Sequence, residues 1–326
     1  MLTSPGDVSV VDDRPGFRSY AARVVSIRVL SPHFIRVTFS GPDFETFGTA
    51  GLDQRIKIVF PVGPGEFRGF GTLSSPDREA EEGDGGWYSR WRSLPEEERN
   101  PIRTYTVRGI RPRERELDVD FVTHGTAYGP YGPAARWLLT AVEGDSIVIV
   151  GPDERSSDSR LGLDWHPGDA RSVLLAGDET AAPAICAILE SLPIDTRARA
   201  FIEVPDAADA LDLDLHPDCH VTWLARGTAP HGSRVDAAVR QWVGRHRDLL
   251  VPVVLGAPQP LPDIDVDREL LWDSPACEGG NDFYAWIAGE AGTVKRLRRF
   301  LVSETGIDRS RVAFMGYWRL GRAESQ

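Results

Sequence analysis

The stretch Arg103-Thr104-Tyr105-Thr106 places a guanidinium, an aromatic ring and two hydroxyl groups within one short segment, residues 102–108. The segment alternates like a β-strand, so Arg103 and Tyr105 share one face while Thr104 and Thr106 share the other. A guanidinium fork suits a pyrophosphate, and a flat ring can pack on an isoalloxazine. The string is compatible with a flavin dinucleotide site and also with an ordinary strand, and the rest of the chain has to decide between them.

The chain around this stretch contains further short alternating segments, with glycine or proline in nearly every gap. This pattern is typical of an antiparallel barrel, and we predict a Greek-key β-barrel domain over residues 17–155 after a disordered segment, 1–16. The predicted strands are 20–30, 34–39, 55–60, 102–108, 116–124 and 146–150.

A long insertion, residues 69–101, interrupts the predicted barrel and contains Trp87, Tyr88 and Trp91. Loops of this length without regular structure are uncommon in compact domains. Its aromatic side chains either pack on the barrel or line a ligand cleft.

Beyond a linker at 156–170, the pattern changes to buried strands that alternate with helices, over residues 171–322. Such alternation predicts a parallel sheet with helical crossovers, and hence an α/β domain of the nucleotide-binding type. Ser233 is the predicted N-cap of the second helix, and Gly306 ends the third. The predicted strands are 172–176, 199–204, 220–224, 283–288 and 312–315, and the helices are 180–192, 233–247 and 290–305.

Composition narrows the function classes. The 326 residues include 37 Lys plus Arg against 49 Asp plus Glu, a formal charge of -12, which argues against general nucleic-acid binding. The three cysteines are widely spaced, no apolar run is long enough to cross a membrane, and the first residues are unlike a secretory signal. We therefore expect a cytoplasmic protein with reduced thiols and no membrane span.

Three strand-to-helix turns could hold a ligand, because ligands of open α/β sheets bind beyond the carboxyl ends of the strands. In the first, Asp178 and Glu179 stand where pyrophosphate-binding turns carry small residues; Asp178 either caps the helix or joins Thr180 in bonding a flavin edge. In the second, His124 precedes a glycine-rich turn that opens a helix, and it is either structural or ligand-binding. The third turn contains Glu290 and Ala291, and the basic run on the helix that follows is either a solvated face or a docking edge.

The chain lacks the usual catalytic signatures. It has no H-E-x-x-H, G-x-S-x-G or Walker A string and no Cys/His cluster with zinc spacing, so we predict no metal site and no catalytic side chain beyond a bound cofactor.

Taken together, these motifs resemble the siderophore-interacting protein family, ferric-siderophore reductases related to the ferredoxin-NADP reductase superfamily. The resemblance extends from about Phe17 to Arg322. The matching strings, in family order, are Arg103-Thr104-Tyr105-Thr106-Val107-Arg108, Asp120-Phe121-Val122 with His124-Gly125, Gly132-Pro133-Ala134 with Trp137, Leu175-Ala176-Gly177-Asp178-Glu179-Thr180, Ala288-Gly289-Glu290-Ala291 and Gly316-Tyr317-Trp318-Arg319.

The resemblance implies FAD in the barrel and NAD(P)H at the second domain. It places Arg103 at the FAD phosphates, Tyr105 on the isoalloxazine and Thr106 near its N5 edge, with Thr180 and Trp318 approaching from the second domain. The remaining cofactor residues that it implies are Thr104, Asp120, Phe121, Val122, His124, Gly125, Gly132, Pro133, Ala134, Asp178 and Ala181.

For the other ligands the implied residues are fewer. Arg226, at a surface position past a strand end, together with Glu290 and Ala291, would serve a nicotinamide dinucleotide; Lys57 and Arg319 would hold an anionic ferric siderophore. The donor is NADPH, NADH or a ferredoxin. Two alternatives remain open: a general flavin or quinone reductase, and a non-catalytic protein that binds flavin and siderophore.

Overall fold

A computed structural model describes residues 11–63, 65–70, 86–123, 132–255, 259–277 and 282–322. The first half of the chain forms one antiparallel sheet in the order β4-β3-β7-β1-β2-β6-β5. All six predicted strands are present, and β5 is a short strand that the sequence pattern does not indicate. The bounds are β1 Phe17–Val29, β2 Phe34–Ser40, β3 Arg55–Val59, β4 Ile102–Thr106, β5 Gly109–Arg111, β6 Glu116–Val122 and β7 Ser146–Pro152.

The sheet curls because its two edge strands are neighbours in the chain. Only Val107 and Arg108 connect β4 to β5, a connection that spans at most about 11 Å, so the two edges have to approach each other. The Val107 amide donates to the Gln54 carbonyl and the Arg108 amide to the Asp118 carbonyl, each at 2.9 Å. The predicted antiparallel barrel is therefore confirmed as a curled seven-stranded sheet.

The described part of the insertion contains helix α1, Gly86–Ser93, which packs on the barrel. Trp87 and Trp91 are buried against Val59 and Val148, and the Trp91 indole donates to the Asn100 carbonyl at 2.9 Å. Of the two interpretations of these aromatic residues, packing on the barrel is confirmed for both tryptophans.

The second half contains a six-stranded sheet in the order β10-β9-β8-β12-β13-β11. Five strands are parallel, as predicted, and the two-residue β11 adds an antiparallel edge that the pattern does not indicate. The strand order reverses between β8 and β12, which makes the carboxyl ends of these two strands the expected ligand crevice. The bounds are β8 Ser172–Gly177, β9 Arg197–Val204, β10 Cys219–Ala225, β11 Trp272–Asp273, β12 Phe283–Glu290 and β13 Val312–Trp318.

Helices cover both faces of this sheet. On one face α3 packs Ile185, Ile188 and Leu189, each at most 1% exposed, against the strands. Each such side chain contributes roughly 1.5–3 kcal/mol by leaving water, so the face fixes α3 and the turn before it. The bounds are α2 Pro133–Leu138 in the first domain, then α3 Ala182–Glu190, α4 Ser233–Arg245, α5 Arg247–Leu250 and α6 Ala291–Arg298 in the second.

Helix α4 begins differently from the prediction. Ser233 is its first helical residue, and the N-cap is Gly232, whose φ of +76° favours glycine. The buried Glu203 carboxylate of β9 accepts hydrogen bonds from the amides of Gly232, Arg234 and Val235 at 2.8–3.1 Å. The prediction that Ser233 caps the helix is therefore wrong, because a carboxylate from the neighbouring strand binds the free amides instead.

Helix α6 continues as a π-helical segment over 299–304 and ends before Gly306, whose φ is +79°. The predicted end at Gly306 is confirmed. Among the described residues, the helices are all too short or too polar to cross a membrane.

Candidate functional site

Strand β4 presents the predicted flavin residues at an edge of the barrel sheet. Arg103 pairs with Ile58 and Tyr105 with Ile56, so both point to the same face as these buried isoleucines. The Tyr105 ring is half-buried and lies 4.4 Å from the ring of Phe121, measured between centroids. Phe121 is fully buried and therefore fixes the orientation of Tyr105 from behind.

The other face of β4 carries Thr104, which is exposed, and Thr106, which is 6% exposed. Lys57 of β3 lies directly across from Thr104 and donates from its ammonium nitrogen to the Thr104 hydroxyl at 3.1 Å. Lys57 and Tyr105 are thus on opposite faces. A ligand can contact both only by passing around β4, which is possible because β4 is an edge strand.

Asp120 lies in an ion-pair network, and only 2% of it is exposed. Its carboxylate accepts two hydrogen bonds from the Arg36 guanidinium at 2.6 and 2.8 Å. The Arg108 Nε lies 3.6 Å from the same carboxylate, and Arg108 makes a two-pronged pair with Glu190 of α3, both distances being 2.7 Å. Asp120 therefore helps to join the domains.

Two further residues of this region that were predicted to contact the cofactor pack against a hydrophobic core, whereas Gly132 does not. Val122 packs against the core of the second domain, and Ala134 against the barrel core. A Cβ placed on Gly132 would meet no atom within 4 Å, so the start of α2 at Pro133 is open in the described structure. The predicted residues His124 and Gly125 lie outside the described residues.

Asp178 is at the switch point of the second sheet and is only 4% exposed. One carboxylate oxygen accepts from the Thr180 amide at 2.9 Å and hydroxyl at 2.6 Å. The other accepts from the Glu290 amide at 2.7 Å and the Trp318 indole at 2.8 Å. Asp178 thus links the ends of β8, β12 and β13, and burial together with the Glu179 carboxylate raises its pKa to about 7.

Glycine at position 289 makes this arrangement possible. Its φ is +136°, and a Cβ there would lie 2.6 Å from a carboxylate oxygen of Asp178. The predicted cofactor residue Ala181 is fully buried, with its methyl group 2.5 Å from where a Cβ on Gly177 would lie. Both glycines allow the turn to close on itself.

Arg226 and Glu179 form a buried ion pair beside Asp178. Both terminal nitrogens of the Arg226 guanidinium donate to the Glu179 carboxylate at 2.8 Å, and one of them lies 3.3 Å from Glu203. Arg226 is 2% exposed and Glu179 is fully buried. These hydrogen bonds outweigh burial and raise the pKa of Arg226. The surface position assumed for Arg226 is therefore wrong, and the residue is poorly placed for a 2′-phosphate.

The remaining predicted nicotinamide residues also have structural partners. Glu290 is the N-cap of α6, and its carboxylate accepts from the Thr293 amide at 2.8 Å and hydroxyl at 3.0 Å. Ala291 is 7% exposed and lies close to Gly316.

The end of β13 contacts three different parts of the molecule. Tyr317 stacks on Trp272 at 5.7 Å between ring centroids. Trp318 bonds Asp178 and meets the His231 ring edge-to-face at 5.2 Å. Arg319 forms an ion pair with Asp267.

Sequence reasoning missed a buried cluster where the barrel, linker and second domain meet. The fully buried Asp53 accepts from the amides of Asp164 and Trp165 at 3.0 and 3.3 Å and from the Trp286 indole at 3.1 Å. Asp164 in turn accepts from the Trp272 indole at 2.9 Å. The only sequence signal was the carboxylate of Asp53 next to Gln54 just before a strand, and this signal does not indicate which residues Asp53 contacts.

This cluster is electrostatically coupled to the end of β13. Burial and the Asp164 charge raise the pKa of Asp53 to about 6. Burial, with the negative charges of Asp53, Asp164 and Asp178, raises the pKa of Tyr317. The rings of Trp272 and Trp286, which donate to this cluster, lie 5.7 and 6.2 Å from the Tyr317 ring, so the cluster adjoins the terminal motif.

Known protein families match both halves of the chain. Residues 23–156 match the family model of the siderophore-interacting FAD-binding domain, and residues 170–321 match that of the siderophore-interacting protein. The ferric vibriobactin reductase ViuB of Vibrio cholerae is 30% identical over 298 residues, 91% of this chain and 88% of ViuB.

This chain belongs to the siderophore-interacting protein family. A solved siderophore utilization protein from T. fusca covers 96% of the chain and 97% of its own, at 27% identity and a TM-score of 0.65. Ferredoxin-NADP+ reductase from Plasmodium falciparum covers 90% of the chain and 94% of its own, at 10% identity and a TM-score of 0.54, and it shares the fold. The predicted fold class is confirmed.

The chemical groups of β4 fit FAD in this siderophore-interacting protein. Strand β4 carries a guanidinium on Arg103, a group that suits phosphate, and an aromatic ring on Tyr105 that contacts Phe121; among the described residues, no atom lies within 4 Å of a Cβ placed on Gly132. Cations and an aromatic surface are the groups that a flavin dinucleotide requires.

Proposed function

We propose that this protein is an FAD-dependent ferric-siderophore reductase. The observation that carries the proposal is the barrel edge formed by β4 and its neighbour β3, where Arg103 and Tyr105 of β4 occupy one face while Thr104 of β4 and Lys57 of β3 occupy the other. Likeness to ViuB over nine-tenths of the chain supports the substrate class.

The chemistry that FAD would supply when bound is the coupling of a reduced donor to the one-electron reduction of Fe(III) held in a siderophore. The protein has to hold the flavin, admit the chelate and leave the metal ligands to the siderophore. Arg103 would bind the pyrophosphate, Tyr105 would pack on the isoalloxazine and Thr106 would lie near its reactive edge. His124, Gly125, Pro133 and Ala134 would be further contacts of the FAD dinucleotide.

From the second domain, Thr180 and Trp318 would approach the flavin. Asp178 holds both of them, through the Thr180 hydroxyl at 2.6 Å and the Trp318 indole at 2.8 Å. A shared buried partner fixes their positions relative to each other, so Asp178 acts as a positioning residue for this side of the site.

Lys57 and Arg319 would attract the anionic chelate. Local cations matter here because the protein has a formal charge of -12 and would otherwise repel an anion. Reduction converts Fe(III) to Fe(II), which binds the hard oxygen ligands of a siderophore less tightly, so the iron is released. The proposal places this release in the cytoplasm, which the three free thiols support.

The electron donor in the proposal is NAD(P)H or a reduced ferredoxin. Arg226 is paired with Glu179 inside the domain, so it does not offer a means of telling NADPH from NADH. Glu290 and Ala291 remain proposed contacts of a nicotinamide donor.

The test is an anaerobic titration of the purified FAD protein with NADPH, NADH and reduced ferredoxin, followed by a ferric siderophore. We expect one donor to bleach the flavin and the ferric siderophore to reoxidise it. If no donor bleaches the flavin, the protein is a non-catalytic binder. If free flavin or a quinone is reduced equally well and no siderophore binds, it is a general reductase.

A further inference from the structure

An acidic segment of the second domain lies against the arginines that end the chain's last strand. We define residues 259–270 as the strap, which precedes β11. Residues 263–269 carry four carboxylates, on Asp263, Asp265, Asp267 and Glu269, and one guanidinium, on Arg268. All five side chains are exposed.

The first part of the strap is fixed to the domain. Leu261, Ile264 and Val266 pack against the core beside α6. Lys295 of α6 donates to the Ile264 carbonyl at 2.6 Å and pairs with Asp263 at 2.7 Å. The basic run predicted as either a solvated face or a docking edge thus partly serves to hold this strap.

The tip of the strap is a turn that is held by its own contacts. The amides of Arg268 and Glu269 both donate to the Asp265 carbonyl at 2.8 Å, and the Asp267 amide donates to the Asp265 carboxylate at 3.0 Å. Leu270 is 73% exposed, and the chain re-enters the core only at Leu271, which is 1% exposed. The tip therefore lies outside the packed core.

Two arginines connect this tip to the end of β13. The Asp267 carboxylate pairs with Arg319, and the Asp267 carbonyl accepts from Arg322. The side chain of Asp267 is 58% exposed and that of Arg319 is 24% exposed, so water and solutes can reach the pair. Arg319 is also the residue that the proposed function assigns to an anionic chelate.

We propose that Asp267 is a specificity-determining residue, an internal anion that an anionic ferric chelate must displace from Arg319. The inference rests on the proposed function. Two anions compete for one guanidinium, so the carboxylate weakens the binding of anionic chelates. A cationic chelate has no such competitor, and the negative tip attracts it.

The experiment measures binding with redox-inert gallium(III) complexes, so that it does not depend on turnover. The probes are an anionic gallium tris-catecholate and the cationic gallium complex of desferrioxamine B, titrated calorimetrically into the FAD protein. Asp267→Asn is compared with Glu269→Gln, which removes one charge from the same tip but, within the described structure, breaks no ion pair.

We expect Asp267→Asn to tighten binding of the anionic probe by about two- to fivefold, the range expected for an exposed ion pair, and to leave or weaken binding of the cationic probe. Glu269→Gln should change the anionic probe much less. In an Arg319→Ala background the gain from Asp267→Asn should vanish, because the site of competition is gone.

Equal effects of Asp267→Asn and Glu269→Gln would overturn the inference, as would a gain that persists without Arg319. Both results leave the proposed function standing, provided that the parent protein binds and reduces a chelate. A parent protein that binds neither probe and reduces no ferric chelate would overturn the proposed function and the inference with it.

Discussion

The face of β4 and the switch point of the second sheet both concentrate polar residues, yet they use them differently. At this sheet edge, Thr104 of β4 and Lys57 of β3 are exposed, and Arg103 and Tyr105 of β4 are half-buried. At the switch point, Asp178 and Glu179 are buried and the protein itself supplies their partners. A polar motif in a ligand-binding position is therefore a ligand site only where the fold leaves its groups within reach of solvent.

The comparison predicts that substitutions at the two places have opposite consequences. At the switch point they should reduce the stability of the fold, and on β4 they should reduce ligand binding. Four measurements test this contrast, beginning with the largest expected effect.

Arg226→Met should cause the largest loss, about 3–5 kcal/mol of unfolding free energy, because it leaves Glu179 and Glu203 buried without their cation. Urea unfolding followed by tryptophan fluorescence measures this. The double variant Glu179→Gln with Arg226→Met should recover part of the loss. A single variant as stable as the parent would show that the switch point is not a structural unit.

Arg103→Ala should weaken FAD binding by about 10- to 100-fold, the value of a charge-assisted hydrogen bond, with little change in unfolding free energy. Flavin fluorescence during titration of the apoprotein gives the dissociation constant. Arg28→Ala, at an exposed position on β1, is the matched control and should bind FAD like the parent. Unchanged FAD affinity in Arg103→Ala would place the pyrophosphate elsewhere.

Asp53→Asn tests the buried cluster between the two regions through pH. The pKa of Asp53 is raised to about 6 in the folded protein, so between about pH 4 and pH 6 the folded state holds a proton that the unfolded state has lost. The contribution of Asp53 to stability therefore falls as pH rises through this window. Relative to the parent, Asp53→Asn should gain about 1–3 kcal/mol from pH 4 to pH 7.

Urea unfolding of parent and variant at several pH values measures that difference. Glu116→Gln, which removes a half-buried carboxylate from β6, is the control for general charge removal. A pH-independent difference for Asp53→Asn would mean that burial does not hold a proton on Asp53.

Lys57→Ala should have the smallest effect, a roughly two- to fivefold weaker affinity for an anionic ferric chelate, since one exposed cation contributes little. FAD content should stay that of the parent, because Lys57 lies on the opposite face from Tyr105. Chelate binding by calorimetry and flavin absorbance measure the two quantities. Loss of FAD in Lys57→Ala would contradict the separation of the two faces.

Local pattern predicts most of the fold. Alternating segments bounded by glycine and proline give the six barrel strands, and helical spacing in 180–192 marks α3, because period and punctuation are properties of neighbouring residues. Local pattern does not predict the short strands β5 and β11. With three and two residues, they are too short to show a period, and only their pairing partners define them.

The same distinction between local pattern and distant contacts applies to the candidate site. Arg103 and Tyr105 fall on a shared face because strand geometry alone puts them there. The partner of Arg226 could not be predicted in this way, since Glu179 lies 47 positions away and reaches it only because β8 and β10 end on the same side of one sheet. The capping of α4 by Glu203 rather than Ser233 has the same origin.

Local sequence pattern and motifs are enough to predict the barrel followed by an α/β domain, the strand that carries the proposed flavin contacts and the family to which the chain belongs. Which polar residues remain within reach of a ligand depends on the tertiary structure. The physical reason is that periodicity is local, whereas desolvation and pairing of a charge depend on residues that are distant in the chain. Asp178, Arg226 and Arg319 all follow strand ends, yet the first two are buried among partners and the third pairs with an exposed strap.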